Sequence, residues 1–215
     1  MKQATDITVL LDRSGSMSSI ANDMEGSFRS FIAEQRKGAD EAHVSLYQFS
    51  TAVEEVYVRR PINEAPPLHI MPSGGTSLHD AMVSVINRTG ARLAALPEWE
   101  RPSRVVFITI TDGEENSSRN YRAYDVKKLV EQQSNQYSWQ FVYLGCNQNA
   151  FAVGEAMGIS QFNNISYDCN SRGISNVFTS LSSNLCSYRS CVAENVSFSK
   201  ADYMAQDASK DVVAP

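Results

Sequence analysis

Residues 7–17, with the sequence ITVLLDRSGSM, decide the fold and mark one site. The first half of this stretch is a continuous apolar run, which predicts a β-strand buried on both faces. Asp12, Ser14 and Ser16 follow at alternate positions of a tight turn, so their oxygen atoms can point at one small cation. Hard oxygen donors of this kind favour Mg²⁺, Mn²⁺ or Ca²⁺ over zinc. Because Ser-Gly-Ser strings are common in loops, the triplet needs support from elsewhere in the chain.

Strand-like and helix-like segments alternate along the rest of the sequence. Their apolar spacing predicts strands at residues 43–49, 53–58, 104–111, 139–144 and 162–167, and helices at 20–37, 77–96, 125–136, 150–157 and 174–188. Only a short turn separates the second and third strands, so the third is expected to be an antiparallel edge strand. The alternation predicts an α/β, doubly wound fold with a mostly parallel six-stranded sheet and helices on both faces.

Composition excludes several classes of protein. The chain has 215 residues, a net charge of -5 and no basic block, which argues against nucleic-acid binding. No segment has the apolar length of a membrane span and the first residues show no signal-peptide pattern, so we expect a cytoplasmic protein without membrane contact. One domain is expected over residues 1–197, followed by a loose polar tail at 198–215. Nothing in the sequence indicates an oligomeric state.

The four cysteines are expected to remain thiols. They are Cys146, Cys169, Cys186 and Cys191, and their spacing matches no zinc motif. Two disulfides are arithmetically possible. We nevertheless expect buried or inert thiols, since the chain is not small and carries no export signal.

Two acidic residues are expected to meet at the ligand-binding edge of the sheet. Asp12 follows the first strand, and Asp112 follows the fourth in the string VVFITITDG. In the common doubly wound order these strands are neighbours on either side of the point where the strand order reverses. Ligands bind beyond the carboxyl ends of the strands at that point.

Thr76 lies in a third segment, SGGTSLHD, that fits the same site. Ser77 and Asp80 have the spacing of a capping box, which would leave the Thr76 hydroxyl outside the helix and available. Gly74 and Gly75 give the loop backbone freedom to approach a metal. The alternative is that Thr76 itself caps the helix and the glycines only make a turn.

These residues resemble the metal-ion-dependent adhesion site of von Willebrand factor A domains, and all five positions are present. The resemblance extends over residues 5–195, and the strings DRSGSM and GGTSLHDAM look most like small stand-alone bacterial or phage members. It implies that Ser14 and Ser16 ligate Mg²⁺ directly, and Asp12 directly or through water. It further implies that Thr76 and Asp112 alternate between direct and water-mediated contact. Mn²⁺ or Ca²⁺ is a possible substitute.

The implied function is divalent-metal-dependent protein binding, without catalysis, in which an Asp or Glu of a partner protein completes the coordination of the metal. One alternative is a metal-dependent hydrolase or phosphatase, with a general base near the ion. The neighbouring candidates for that base are His79, Asp80, Glu114 and Glu115. Another alternative is a structural subunit whose metal only stabilises it. The aromatic residues Trp99, Tyr121 and Tyr124 are candidates for the rim of a binding face, although single exposed aromatics are ordinary.

Overall fold

The computed structural model of the protein describes residues 4–146 and 149–210. Its six strands are β1 (Ala4–Asp12), β2 (Glu41–Phe49), β3 (Val53–Pro61), β4 (Arg104–Thr111), β5 (Gln140–Cys146) and β6 (Asn164–Tyr167). They form one sheet in the order β3-β2-β1-β4-β5-β6. Every pair is parallel except β2 with β3. The predicted sheet, including its antiparallel edge strand, is confirmed.

Six α-helices cover the two faces of the sheet. They are α1 (Ala21–Gln35), α2 (Leu78–Ala94), α3 (Ala123–Tyr137), α4 (Ala150–Ala156), α5 (Ser171–Arg189) and α6 (Lys200–Lys210). Residues of α1 and α5 share one buried core with one face of the sheet, and residues of α2, α3 and α4 share a second core with the other face. Among residues 4–146 and 149–210, no helix combines the length and the apolar character needed to cross a bilayer.

The central strand β1 shows why an unbroken apolar run is needed here. Successive side chains of a strand point to opposite faces, and both faces of this sheet are covered by helices. Ile7, Val9 and Leu11 therefore enter the core under α1 and α5, whereas Leu10 enters the core under α2 and α3. The strand is fixed in register by two parallel neighbours, β2 and β4.

The edge strand β3 is irregular. Its pairing with β2 changes register on either side of Leu46. At one of these irregularities Arg59 has a φ of 46° and its amide donates to Ser45 Oγ at 2.9 Å. Within the described residues β3 pairs with no strand other than β2, so its outer edge carries no paired strand.

The segment expected to be a loose tail is helical, so that prediction is wrong. Phe198 is buried in the core shared with α5, which brings the following residues onto the protein surface. Asp202 then accepts hydrogen bonds from the Ser199 amide and hydroxyl, both at 2.7 Å, and so caps the start of α6. The division into a domain over 1–197 and a tail stays a prediction, and residues 211–215 lie outside the described part.

The expectation of four thiols is wrong for one pair. A disulfide joins Cys146, the last residue of β5, to Cys169, which precedes α5. The sheet explains the pairing, because Cys146 lies opposite Tyr167 in the parallel pair β5–β6 and Cys169 follows only two residues later. Cys186 and Cys191 remain thiols.

Candidate metal centre

The site lies at the carboxyl ends of β1 and β4. Leu11 is in register with Ile110, so Asp12 and Asp112 leave the sheet side by side, as predicted. The turn after β1 is then fixed from the other side, because the Gly15 amide donates to the Gly74 carbonyl at 3.0 Å. Gly74 has a φ of 75°, a conformation that favours glycine.

Four of the five predicted ligands form a continuous chain of contacts with one another. The Asp12 carboxylate is fully buried and accepts the Ser14 amide at 2.7 Å. The hydroxyls of Ser14 and Ser16 are 3.0 Å apart. Ser16 Oγ donates to Asp112 Oδ1 at 2.8 Å. These contacts therefore link a buried carboxylate to one that is only half-buried.

Thr76 completes the group. It precedes the first turn of α2. Its hydroxyl and that of Ser16 both border Gly113, because a Cβ atom placed on Gly113 would be 3.2 Å from Thr76 Oγ1 and 3.5 Å from Ser16 Oγ. Its amide donates to Asn116 Oδ1 at 2.9 Å, which ties the segment to the loop after β4. The structure thus brings all five predicted side chains together.

The predicted capping box at the start of α2 is wrong. Ser77 does occupy the cap position, but its side chain makes no capping hydrogen bond. Asp80 points away from Ser77 and accepts the backbone amides of residues 119–121 at 2.9–3.3 Å. Partial burial opposes ionisation of Asp80, yet these donors outweigh it and lower its pKa. The loop after β4 supplies several donors, whereas a capping box would supply one.

Glu115 holds the same loop from the other end. It accepts the amides of His79, Ser117 and Ser118 at 2.7–3.0 Å, together with the Ser118 hydroxyl. Burial lowers the pKa of His79, whose Nδ1 lies 3.7 Å from Glu115 Oε2. The carboxylates of Asp80 and Glu115, considered above as general bases, are thus occupied in joining α2 to the loop after β4.

Sequence reasoning missed Thr111, which contacts the site directly. Its hydroxyl donates to Asp12 Oδ2 at 2.6 Å, so both oxygens of the buried carboxylate are hydrogen-bonded. A threonine in a strand is ordinary, and only its position immediately before Asp112 distinguishes it.

The electrostatics of the site favour a bound cation. Burial raises the pKa of Asp12 to about 6, although hydrogen bonds from Thr111 and Ser14 oppose the rise, and the Asp112 carboxylate adds to it. Burial also raises the pKa of Asp112, against the hydrogen bond from Ser16. A nearby positive charge would lower both pKa values and offset the cost of burying the two ionised carboxylates.

The donor set fits a hard divalent ion, since it comprises two carboxylates and three hydroxyls. In the described part of the chain, no three His, Cys, Asp or Glu side chains converge. A metal at this site must therefore rest on hydroxyl oxygens as well as carboxylates.

Replacing Asp80 by alanine is expected to release the loop after β4. The free energy of unfolding should fall by about 1–2 kcal/mol, because several amide donors lose a charged acceptor at a partly exposed site. Hydrogen exchange at the amides of residues 119–121 should accelerate. Glu114→Ala, which removes an exposed carboxylate from the same loop, is the control and should change neither quantity. Unchanged exchange in Asp80→Ala would contradict the anchoring role.

Solved structures share the fold at low sequence identity. Proximal thread matrix protein 1 from the mussel byssus, solved with zinc in its MIDAS motif (the metal-ion-dependent adhesion site), is 15% identical with a TM-score of 0.63 over 88% of this chain and 48% of that one. The ArnB paralog VWA2 from Sulfolobus acidocaldarius is 19% identical, with a TM-score of 0.58 over 85% and 45%. The pilus adhesin SpaC from Lactobacillus rhamnosus GG, in its open conformation, is 13% identical, with a TM-score of 0.62 over 86% and 30%. The chain spans about half or less of each.

Comparison with curated proteins gave no match. The family model of the von Willebrand factor type A domain matches residues 6–171, which is most of the chain and includes all five site residues. The chain therefore belongs to the von Willebrand factor type A domain family, whose members commonly mediate protein–protein interactions and often bind a divalent metal at this motif.

Proposed function

We propose that the protein is a divalent-metal-dependent protein-binding module. Mg²⁺ would be held by Asp12, Ser14, Ser16, Thr76 and Asp112, and an acidic residue of a partner protein would bind at the same place. The observation that carries the proposal is the buried carboxylate of Asp12, linked through two serine hydroxyls to the half-buried carboxylate of Asp112. Burial raises the pKa of both carboxylates, whereas a bound divalent cation would favour their ionised forms.

The arrangement also supports access for a partner. Asp12 and Ser14 are buried, whereas Ser16 is exposed and Asp112 is half-buried, so the outer side of the group faces solvent. The three hydroxyls add no charge to the site, so only two carboxylates offset the divalent cation. The cation can therefore still attract a third carboxylate, from a partner. Mg²⁺ usually keeps several waters in proteins, which a carboxylate can replace.

Two further parts of the proposal concern the relatives of the protein and its location in the cell. The similarity to small stand-alone bacterial or phage members is proposed from the sequence strings alone. The proposed location is the cytoplasm.

Metal affinity is the first test. Calorimetric titration with Mg²⁺, Mn²⁺, Ca²⁺ and Zn²⁺ should show one site, and Ser14→Ala and Asp112→Ala should each weaken Mg²⁺ binding by about 10-fold or more, since each removes a ligand. Ser18→Ala is the control, because Ser18 donates only to the Gly15 carbonyl. Equal affinities in all four proteins would contradict the ligand set.

The second test asks whether one coordination position of the bound metal is exchangeable. Mn²⁺ bound to the protein should relax water protons strongly, and a short glutamate-containing peptide at millimolar concentration should reduce this relaxation. A bound ion that barely relaxes water would favour the stabilising role. Mg²⁺-dependent hydrolysis of a phosphate monoester that is lost in Asp112→Ala would favour the hydrolase.

A further inference from the structure

A methionine in the connection between β3 and α2 is exposed to solvent beside the metal centre. Met71 is 79% exposed, whereas Leu68 and Ile70, which precede it in the same connection, lie in the core shared with α1 and α5. Burial accounts for the apolar side chains of Leu68 and Ile70, but not for that of Met71. Single exposed apolar residues are ordinary, so the position of Met71 decides what it can do.

The backbone that leads to Met71 is held by side chains of two neighbouring elements. Gln48 Nε2, on β2, donates to the His69 carbonyl at 2.6 Å. Glu25 Oε1, on α1, accepts the Ile70 amide at 2.8 Å. A side chain on a fixed backbone loses less conformational entropy on binding than one on a mobile loop. Met71 is therefore presented to solvent from a fixed position.

The segment that follows Met71 is bonded to the turn that carries the predicted ligands. Arg13 Nη1 donates to the Met71 carbonyl at 3.4 Å and to Ser73 Oγ at 2.8 Å. In return, the Ser73 amide donates to the Arg13 carbonyl at 2.8 Å. Two residues of chain span at most about 7 Å, so Met71 lies close to this turn, in which Ser14 follows Arg13 directly.

The loop on the other side of the metal centre has a different character. Residues 113–120, with the sequence GEENSSRN, follow β4 and include no apolar side chain beyond glycine. Tyr121 and Tyr124 come only afterwards, around the start of α3. Trp99, considered above for the rim, lies in the connection to the amino end of β4, at the opposite end of that strand. An apolar contact close to the metal is thus offered on the side of Met71.

We propose that the partner protein carries an apolar side chain one or two residues from its acidic residue, and that this side chain packs on Met71. The inference rests on the proposed function, because the acidic residue must bind the metal. Continuity supports it, since hydrogen bonds join Met71 to the turn of the site. One or two residues of an extended partner chain span about 3.5–7 Å, which matches this separation. Methionine is flexible and unbranched, so it can pack against apolar groups of different shapes.

Peptide binding to the protein loaded with Mn²⁺ tests the proposal, with water-proton relaxation as the readout. The reference peptide is acetyl-Gly-Gly-Glu-Gly-Gly-amide, and in each of four others a leucine replaces one glycine. In the wild type, at least one leucine peptide should bind about 3- to 10-fold more tightly than the reference, because it buries part of an apolar side chain. Met71→Ala should bind the reference equally well but lose the preference for leucine. Met71→Leu should retain it, because an apolar side chain remains.

Met204→Ala is the matched control. Met204 is 60% exposed on α6, which contacts β6 at the edge of the sheet opposite β3. This variant should keep the preference, and Mn²⁺ affinity should be equal in all four proteins. If the reference binds but no leucine peptide binds more tightly, or if Met71→Ala keeps the preference, the inference is wrong and the proposed function stands. If no peptide changes the relaxation in the wild type, the proposed function fails, and the inference fails with it.

Discussion

Asp12→Asn is expected to stabilise the metal-free protein at pH 7 and to abolish its response to Mg²⁺. The carboxylate is fully buried, and its pKa rises from the usual 3.8 to about 6. Between these two values the folded protein holds a proton that the unfolded chain has lost. The stability contributed by this group is therefore fully present below pH 3.8 and is lost as the pH rises to about 6.

The size of the effect follows from the pKa difference. A difference of about two in pKa corresponds to roughly 3 kcal/mol, so the uncharged amide should recover on the order of 1–3 kcal/mol at pH 7. Asparagine can still accept from the Ser14 amide, and the Thr111 hydroxyl can reverse to accept from the new amide group. Mg²⁺, in contrast, should no longer bind measurably, because the buried charge is gone.

Denaturant titrations between pH 4 and pH 8 in EDTA, repeated with Mg²⁺, separate the two effects. The wild type should lose stability up to about pH 6 in EDTA and regain it with Mg²⁺. The variant should lose less, because only the raised pKa of Asp112 remains, and Mg²⁺ should restore nothing. Asp23→Asn, at a carboxylate that accepts from Ser171 on α5, is the control and should leave the Mg²⁺ response intact. A variant that is less stable than the wild type at pH 7 in EDTA would contradict the argument.

Asp40→Ala is expected to cost about 3–5 kcal/mol, because it leaves a buried guanidinium without its counter-ion. Arg189, at the end of α5, is 2% exposed and donates to both Asp40 oxygens, at 2.8 and 3.1 Å. Its third nitrogen donates to the backbone and side-chain oxygens of Gln35 at 2.7 and 3.0 Å. The pair therefore joins the end of α1, the start of β2 and the end of α5.

Urea unfolding measures the loss, and an exposed ion pair provides the control. Glu34→Ala removes the partner of Lys37 on the surface of the same region and should cost less than about 1 kcal/mol. The double variant Asp40→Leu/Arg189→Met should recover much of the loss, since no buried charge remains. Equal losses in Asp40→Ala and Glu34→Ala would show that the buried pair contributes no more than the exposed one.

The sequence predicted the sheet and the meeting of the five site residues because few physical rules determine them. Two apolar runs long enough to be buried on both faces become central parallel strands. The handedness of the connections then places the ends of those strands together. Asp12 and Asp112 follow these runs directly, so their proximity depends on topology and not on side-chain detail.

The parts that were not predicted depend on contacts between distant segments. The role of Asp80 is decided by residues 119–121, which offer more donors than its own helix does. The burial of Phe198 draws α6 onto α5, although the composition of that segment is that of a loose chain. The Cys146–Cys169 disulfide follows from the adjacency of β5 and β6, and spacing along the chain does not encode it.

The irregular edge of β3 has a consequence for the behaviour of the protein at high concentration. The central strands β1 and β4 are rich in valine, isoleucine and leucine, and an open edge of a sheet is a template for growth into fibrils. The two changes of register and the charged residues Glu54, Glu55, Arg59 and Arg60 make this edge a poor template. Straightening β3 by removing the kink at Arg59 should therefore promote aggregation even if the fold becomes no less stable.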